Sequence, residues 1–480
     1  MLMKTPGSEI NVDSEIGRLR TVLIHSPDNG IGRVAPSKAQ DWLFEDILHL
    51  ETVRKEYDYY VQVLLYFLDP EKLENKNLVS DDRQDDDRAF YKPGIPGFYN
   101  SYHVIEIEKL LADILGNESV REKLCAAVCA IEGCSYNQQS DLNTLTPERL
   151  ARILISGSLK SGEMLFPPIP NLIFTRDLGI VINNYILLNK PAKKARNREA
   201  LLARYIFYNH PLFAAYRSKI LEIPHQVQHF LRLGEAPDEK ATLEGGDVMV
   251  VSPNHVIIGC SERTSPSGVT EAMRLLFDNN VVEKVTVIKI PHKRDYMHID
   301  TLFTQVSRHT WIVLHSICSG RNKISGQPLE YLTDKKKQDQ VQILQFKKNK
   351  EQPKKFKSIE SLLASVSEKD LGSTEEPVFI YSGNDEFPHD EREQWTDSCN
   401  LLALKDGVVL GYDRNDRSVE AFKANGFQII RVEELIEQIE TGETNINSLE
   451  NALILMPSAE LSRARGGFRC MSMPLLRDPI

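Results

Sequence analysis

The 480-residue chain is short of the features that mark disulfide-bonded, membrane-spanning or nucleic-acid-binding proteins. Cysteine is scarce: the seven residues Cys125, Cys129, Cys134, Cys260, Cys318, Cys399 and Cys470 are too few and too scattered to staple a chain of this size, so most are expected to be reduced thiols. Their one cluster, CAAVCAIEGC from Cys125 to Cys134, falls in a helix-like apolar stretch with no second pair at finger-like spacing, and no metal is expected there. Long apolar runs are missing too. None reaches the about 18 residues a membrane helix needs, and the opening MLMKTPGSEINVDSEIGRLR lacks the continuous apolar centre of a secretory signal; a cytoplasmic location without membrane contact is expected. Finally there is no basic surplus. With 58 Lys and Arg against 68 Asp and Glu the net charge is −10, which argues against a nucleic-acid partner. The lysine-dense stretch Lys335 to Lys357 has little aromatic interleaving and reads as a solvated surface insertion.

What the chain has is enough apolar residue, 41%, to bury a large core. RLRTVLIHSP, Arg18 to Pro27, reads as a buried strand ended by a Ser-Pro turn. Helical spacing follows over Asp41 to Leu68, near Ile105 to Leu115 and over Val120 to Ile131. TPERLARILI, Thr146 to Ile155, opens with a Thr cap and a first-turn proline. SDDRQDDDRAFYKPG, Ser80 to Gly94, reads as loop. After Pro167, β-rich runs such as LIFTRDLGIVINNYILL, ATLEGGDVMVVSPNHVIIGCS and NLLALKDGVVLGYD alternate with helices at Ala192 to Phe207, Val269 to Phe277 and Asp416 to Asn425, the texture of an α/β domain. The expected division is a catalytic α/β domain over 1–40 and 156–480, with a helical insertion at 41–155. No clean sequence repeat is legible.

Four polar clusters lie at the ends of apolar strands: PNLIFTRD (170–177), LEGGD (243–247), MHID (297–300) and RARGGFRCMSMP (463–474). Each alone has a bland reading as a turn, a cap or a small core residue. Together, Asp177, Glu244, Asp247 and Asp300 offer one site several carboxylates beside His298 and Cys470, and such a site wants a cation. One histidine among hard oxygens fits zinc poorly, and magnesium or calcium has no use for a thiol. A guanidinium matches carboxylates with its planar fork, and two of them at about 4 Å would each hold it by roughly 4 kcal/mol at an effective dielectric near 20, before desolvation. Its delocalised carbon is a poor electrophile, which gives a thiolate work to do. Nearby acids raise the thiol pKa and nearby cations lower it, so a largely neutral thiol is expected before substrate arrives.

The ordered motifs Asn171 with FTRD, EGGDV, SERT (261–264), HIDT (298–301) and RCMSMPL (469–475) resemble those of bacterial arginine deiminases, in the guanidino-group modifying (pentein) superfamily. SEIGRLRTVLIHSP and PAKKARNREALLARYIFYNHP (191–211) are similar to that family as well. The resemblance implies a five-bladed α/β propeller with a helical insertion, and hydrolysis of L-arginine to L-citrulline and ammonia. It implies Cys470 as the nucleophile that forms a thiouronium and His298 as the acid and then the base. Asp177 and Asp300 would grip the guanidinium, Glu244 would keep histidine and substrate in register, and Asp247 would add a carboxylate on the substrate side. Asn171, Arg196, Arg263 and Arg465 would bind substrate, Arg196 and Arg263 at its carboxylate pole and Arg465 as a loop arginine that gates the site. It implies no metal and no organic cofactor, and allows a homo-oligomer. The chain departs from the family's usual pattern where no proline follows FTRD, where INNY replaces a Gly-Asn-Gly turn, where IHSPDNG replaces an Arg-Pro-Gly continuation, and at Arg469, where many relatives have histidine. The alternatives are an amidinotransferase, a hydrolase of another guanidino compound, and a non-catalytic arginine-binding protein.

Overall fold

The computed structural model describes residues 9–44, 46–73, 101–159, 162–224, 240–318 and 341–480. The expected loop at 80–94 and the start of the lysine-dense stretch, 335–340, lie outside the described residues. The architecture is mixed α/β, with five small sheets among the described residues. One plan recurs in them: an antiparallel strand pair, a helical crossover, and a third strand parallel to the pair's second.

In the first such unit Gly179–Ile182 pairs antiparallel with Tyr185–Leu188, the helix Asn197–Asn209 crosses over, and Ile220–Glu222 returns parallel. In the second, Val248–Ser252 and His255–Cys260 are followed by the helix Pro266–Asp278 and by Lys284–Lys289. That sheet is widened by Gln342–Lys347 and Lys354–Phe356, so the described part of the lysine-dense stretch is an edge hairpin. The third unit joins Phe303–Gln305 and Thr310–Val313 to Val378–Tyr381. The fourth joins Leu402–Lys405 and Val408–Tyr412 through the helix Asp416–Ala424 to Gln428–Arg431, with Ala452–Met456 between them. The fifth is built from both ends of the chain: Met473–Arg477 runs antiparallel to Leu19–Ile24, which is parallel to Val104–Glu106.

The chemistry of these segments explains the plan. Val248–Ser252 and His255–Cys260 are buried at every position, as strands covered on both faces must be. Helices start at side-chain caps: Thr146 accepts from the Arg149 N–H ahead of Pro147–Ser156, and Ser265 from Gly268 ahead of Pro266–Asp278. INNY makes the first hairpin turn with Asn183 at φ 51°, a left-handed conformation asparagine tolerates well.

Two expectations within 41–155 are adjusted. The long helix begins at Leu50, not Asp41, because residues 41–44 turn tightly with Leu43 at φ 57°. Val104–Glu106 is a strand of the fifth sheet, and Leu50–Leu68 packs Val53, Tyr57, Tyr60 and Leu64 into one core with Val22, Leu410 and Ile454. The helices Ile107–Leu115, Glu118–Glu132, Tyr136–Asn143 and Pro147–Ser156 form the helical part, and Ile107–Leu115 and Pro147–Ser156 bury their apolar faces in a core shared with Ile186, Phe207 and Met473.

Candidate active site

The polar clusters occupy the same place in successive units: the turn that leads into the first strand. Three of these turns are single 3₁₀ turns, Thr175–Asp177, Gly245–Asp247 and Ile299–Thr301. The other two are Asp397–Asn400 ahead of Leu402–Lys405, and Phe468–Met471 ahead of Met473–Arg477. A short, tight lead-in turn puts its polar side chain at the end of a buried strand, where a loop residue would wander.

The five turns are linked in a closed circuit of hydrogen bonds running in one direction. The Gly246 N–H donates to Asp177 Oδ1 at 3.1 Å, the Ile299 N–H to Asp247 Oδ1 at 3.0 Å, and Asn400 Nδ2 to the Asp300 carbonyl at 3.3 Å. The Cys470 N–H donates to Asn400 Oδ1 at 3.0 Å, and the Arg176 N–H to the Cys470 carbonyl at 3.1 Å. The glycine pair of LEGGD is required by this closeness. A Cβ on Gly245 would meet the Arg176 carbonyl at 2.0 Å, and one on Gly246 would meet the His298 ring at 2.4 Å.

Cys470, His298, Asp177, Glu244 and Asp300 come together in this circuit. The Cys470 thiol donates to Asp300 Oδ2 across 3.7 Å, and His298 Nε2 lies 3.1 Å from Glu244 Oε2. Burial, with the Asp300, Asp177 and Asp397 charges, pushes the Cys470 thiol well up, and Arg469 only partly offsets this, so the thiol is neutral around pH 7. Burial works against a charged His298, yet the Asp177 charge, the Glu244 hydrogen bond and Asp247 outweigh it and hold the ring up at about 10. The Asp177 carboxyl is driven below the usual range: burial opposes this, but Arg196, His298 and the Gly246 N–H prevail. Glu244 is also lowered, against burial, by His298 and Arg196.

The substrate-side residues are arranged less simply. Arg196, expected at a pole away from the acids, instead donates to Asp177 Oδ2 at 2.6 Å, to Glu199 at 2.9 Å and to Glu244 at 3.4 Å. Arg263 lies 4.0 Å from the same Glu244 oxygen. Cations and acids are interleaved because a buried charge without a partner is far costlier than one with. Asp247 is fully buried behind His298, one oxygen on Ser261 Oγ at 2.5 Å and the other on Ile299, an arrangement that fixes the His298 turn. Asn171 donates to the Trp42 carbonyl at 2.9 Å and so ties the segment before Leu50–Leu68 to FTRD. Arg465 stands apart, its guanidinium stacked on Trp395.

By residue type, three participants carry no mark in the sequence that separates them from ordinary surface residues. Asn400 is a neutral amide in DSCN; its signal was position, two residues ahead of an apolar hairpin. Glu199 is buried against Arg196, and its carboxyl is raised by burial and by Asp177 and Glu244, against Arg196. Glu15 holds Arg469 through 3.0 and 3.2 Å hydrogen bonds, and Arg469 in turn donates to Asp300 Oδ2 at 2.7 Å. Asp177, Glu244 and His298 present possible ligand atoms within 4.8 Å of one another. A protonated His298 has no lone pair on Nε2 to give a metal, and Arg196 already engages both acids.

A family model described as arginine deiminase matches residues 107–477. The arginine deiminase of Oenococcus oeni is 31% identical over 100% of both chains. That of Treponema denticola is 29% identical over 98% of this chain and 99% of its own, and that of Clostridium perfringens 30% over 98% of each. Among solved structures, the amidinotransferase SxtG of Microseira wollei aligns over 98% of each chain at 12% identity with a TM-score of 0.47. By sequence, motif order and full-length similarity, the chain belongs to the arginine deiminase family.

Proposed function

We infer that this protein hydrolyses L-arginine to L-citrulline and ammonia through a thiouronium on Cys470. The observation that carries the mechanism is the convergence of a thiol, a protonated histidine and two ion-paired acids on one hydrogen-bonded circuit. The substrate guanidinium seats between Asp177 and Asp300, taking over oxygens that Arg196 and Arg469 share. Its charge lowers the thiol pKa, and Cys470 gives its proton to water as substrate arrives, regaining one when the C–S bond breaks. The thiolate adds to the guanidinium carbon; a terminal C–N bond breaks and nitrogen leaves as ammonia with a proton from His298. His298, now neutral, takes a proton from water, which adds to the thiouronium carbon, and the C–S bond breaks to give citrulline. Glu244 keeps the imidazole oriented. Arg196, released from Asp177 by the incoming guanidinium, meets the substrate carboxylate with Arg263 and Arg465, with Asn171 at the same end and Asp247 holding the His298 turn.

The same circuit supports reading the five units as one closed five-bladed α/β propeller, with Ile107–Ser156 the insertion between its first-strand and FTRD segments. The test is citrulline and ammonia released from L-arginine with no amine added, for the intact protein and for Cys470→Ala. Equimolar products and a loss of at least about 10³ in kcat for the variant are expected. Full turnover by Cys470→Ala would sink the covalent route. Citrulline formed only from peptidyl arginine, or no product without an added amine, would turn the reading to the alternative enzymes.

A further inference from the structure

Arg465 sits five residues before Cys470 with φ 62° and ψ 59°, a conformation an L side chain adopts only where its surroundings hold it. Here they do. Its N–H donates to the Ser462 carbonyl at 3.2 Å, and the Tyr412 hydroxyl donates to the Gly466 carbonyl at 2.8 Å. A Cβ on Gly466 would meet the Phe174 ring at 2.2 Å, and one on Gly467 the Asn400 carbonyl at 2.4 Å. The backbone on both sides of Arg465 is therefore clamped against the catalytic turns, and the direction of its side chain is set.

That side chain ends on Trp395, its Cζ 3.3 Å from the indole centroid. Trp395 closes the helix His389–Trp395, is 41% exposed, and lines a cavity of about 1300 Å³ with Tyr296, Gln394 and Arg414. Its neighbour Gln394 donates to the Asp295 carbonyl at 2.7 Å, fastening the helix end to the segment that carries His298. The stack spends only the flat face of the guanidinium. Nε and Nη1 are buried yet have no hydrogen-bond partner, and among the described residues no acid pairs with Arg465. Nε with Nη2, or Nη1 with Nη2, forms the planar fork that fits a carboxylate.

We propose that Trp395 is a positioning residue for the reaction, an aromatic seat that holds Arg465 with its donors ready for the substrate's carboxylate. The proposal rests on reading Arg465 as a substrate-binding residue. An arginine fixed beforehand loses little rotamer freedom on binding; without the ring it loses that freedom each time substrate binds.

Kinetics and tryptophan emission test this together. Trp395→Leu is expected to raise KM for L-arginine about five- to tenfold with kcat little changed, and Trp395→Phe, which keeps a ring face, to restore most of the affinity. The chain has three tryptophans. In a Cys470→Ala background, saturating L-arginine is expected to change the emission that Trp395 contributes, obtained by subtracting the Trp395→Phe protein, and Arg465→Ala is expected to abolish that change. An unaltered KM in Trp395→Leu, or a Trp395 emission indifferent to L-arginine, overturns the proposal while Arg465→Ala still raises KM. If Arg465→Ala leaves KM unaltered, the reading of Arg465 itself fails and the proposal falls with it.

Discussion

Two buried histidines in this molecule each sit between acids, and only one is a candidate catalyst. His25 has Nδ1 on Glu106 at 2.8 Å and Nε2 on Asp28 at 3.1 Å; His298 touches an acid through Nε2 alone, with Asp177 and Asp247 acting through charge. Both rings resist burial by the same means and are held up, to about 9 and about 10. The difference lies in what is left over. Around His25 the acids are spent on the backbone: Glu106 accepts from the Ser26 N–H and hydroxyl, and Asp28 from the Gly30 N–H. Around His298, Asp300 Oδ1 and Arg196 Nη2 have no hydrogen-bond partner, and a thiol lies alongside. A clamp uses every valence it has; a site holds some in reserve.

The comparison breaks most sharply on activity. His298→Asn is expected to lower kcat by about 10³, the scale of losing an acid and base; a variant that turned over normally would remove the distinction. His25→Leu is expected to do the reverse: kcat per folded molecule unchanged, and urea stability lower by about 3 kcal/mol because two acids lose their buried partner. The sign with pH follows from a folded pKa of about 9 above the ordinary 6.5. The contribution is complete below about 6.5 and fades as pH rises through 9, so the gap between variant and parent should narrow there. Equal gaps at pH 6 and pH 9.5 would assign the loss to packing. The smallest effect expected is for Asn400→Ala, about tenfold in kcat with about 1–3 kcal/mol of stability, since the Cys470 N–H and Asp300 carbonyl both lose a partner. No change in kcat would detach the circuit from the chemistry.

Much of this was legible in the chain itself. The apolar runs before and after FTRD, EGGD and HID mark strands whose ends gather charge, and the thiol, histidine and acids have few joint uses. The helix from Pro147 announced itself by Thr146. What stayed hidden was either short or relational. Val104–Glu106 is three residues, too few for a period to show, and borrows its identity from Leu19–Ile24. The recurrence of one plan lives in hydrogen bonding, not in shared letters. Arg196 carries no mark telling whether it faces a substrate carboxylate or Asp177; only the packing decides. Glu15 looked like one more acid near the start, yet three buried arginines, Arg469, Arg176 and Arg477, hold it down at about 2 despite its burial.

The pairing of Met473–Arg477 with Leu19–Ile24 has a temporal corollary. A ribosome emits the histidine and all the acids long before the sulfur, and the sulfur's seat is finished only when the final strand docks beside the earliest one. The seat of the sulfur thus waits on that docking, and a chain stopped between residues 470 and 473 would carry the acids, the histidine and the sulfur but not the strand that holds the sulfur among them.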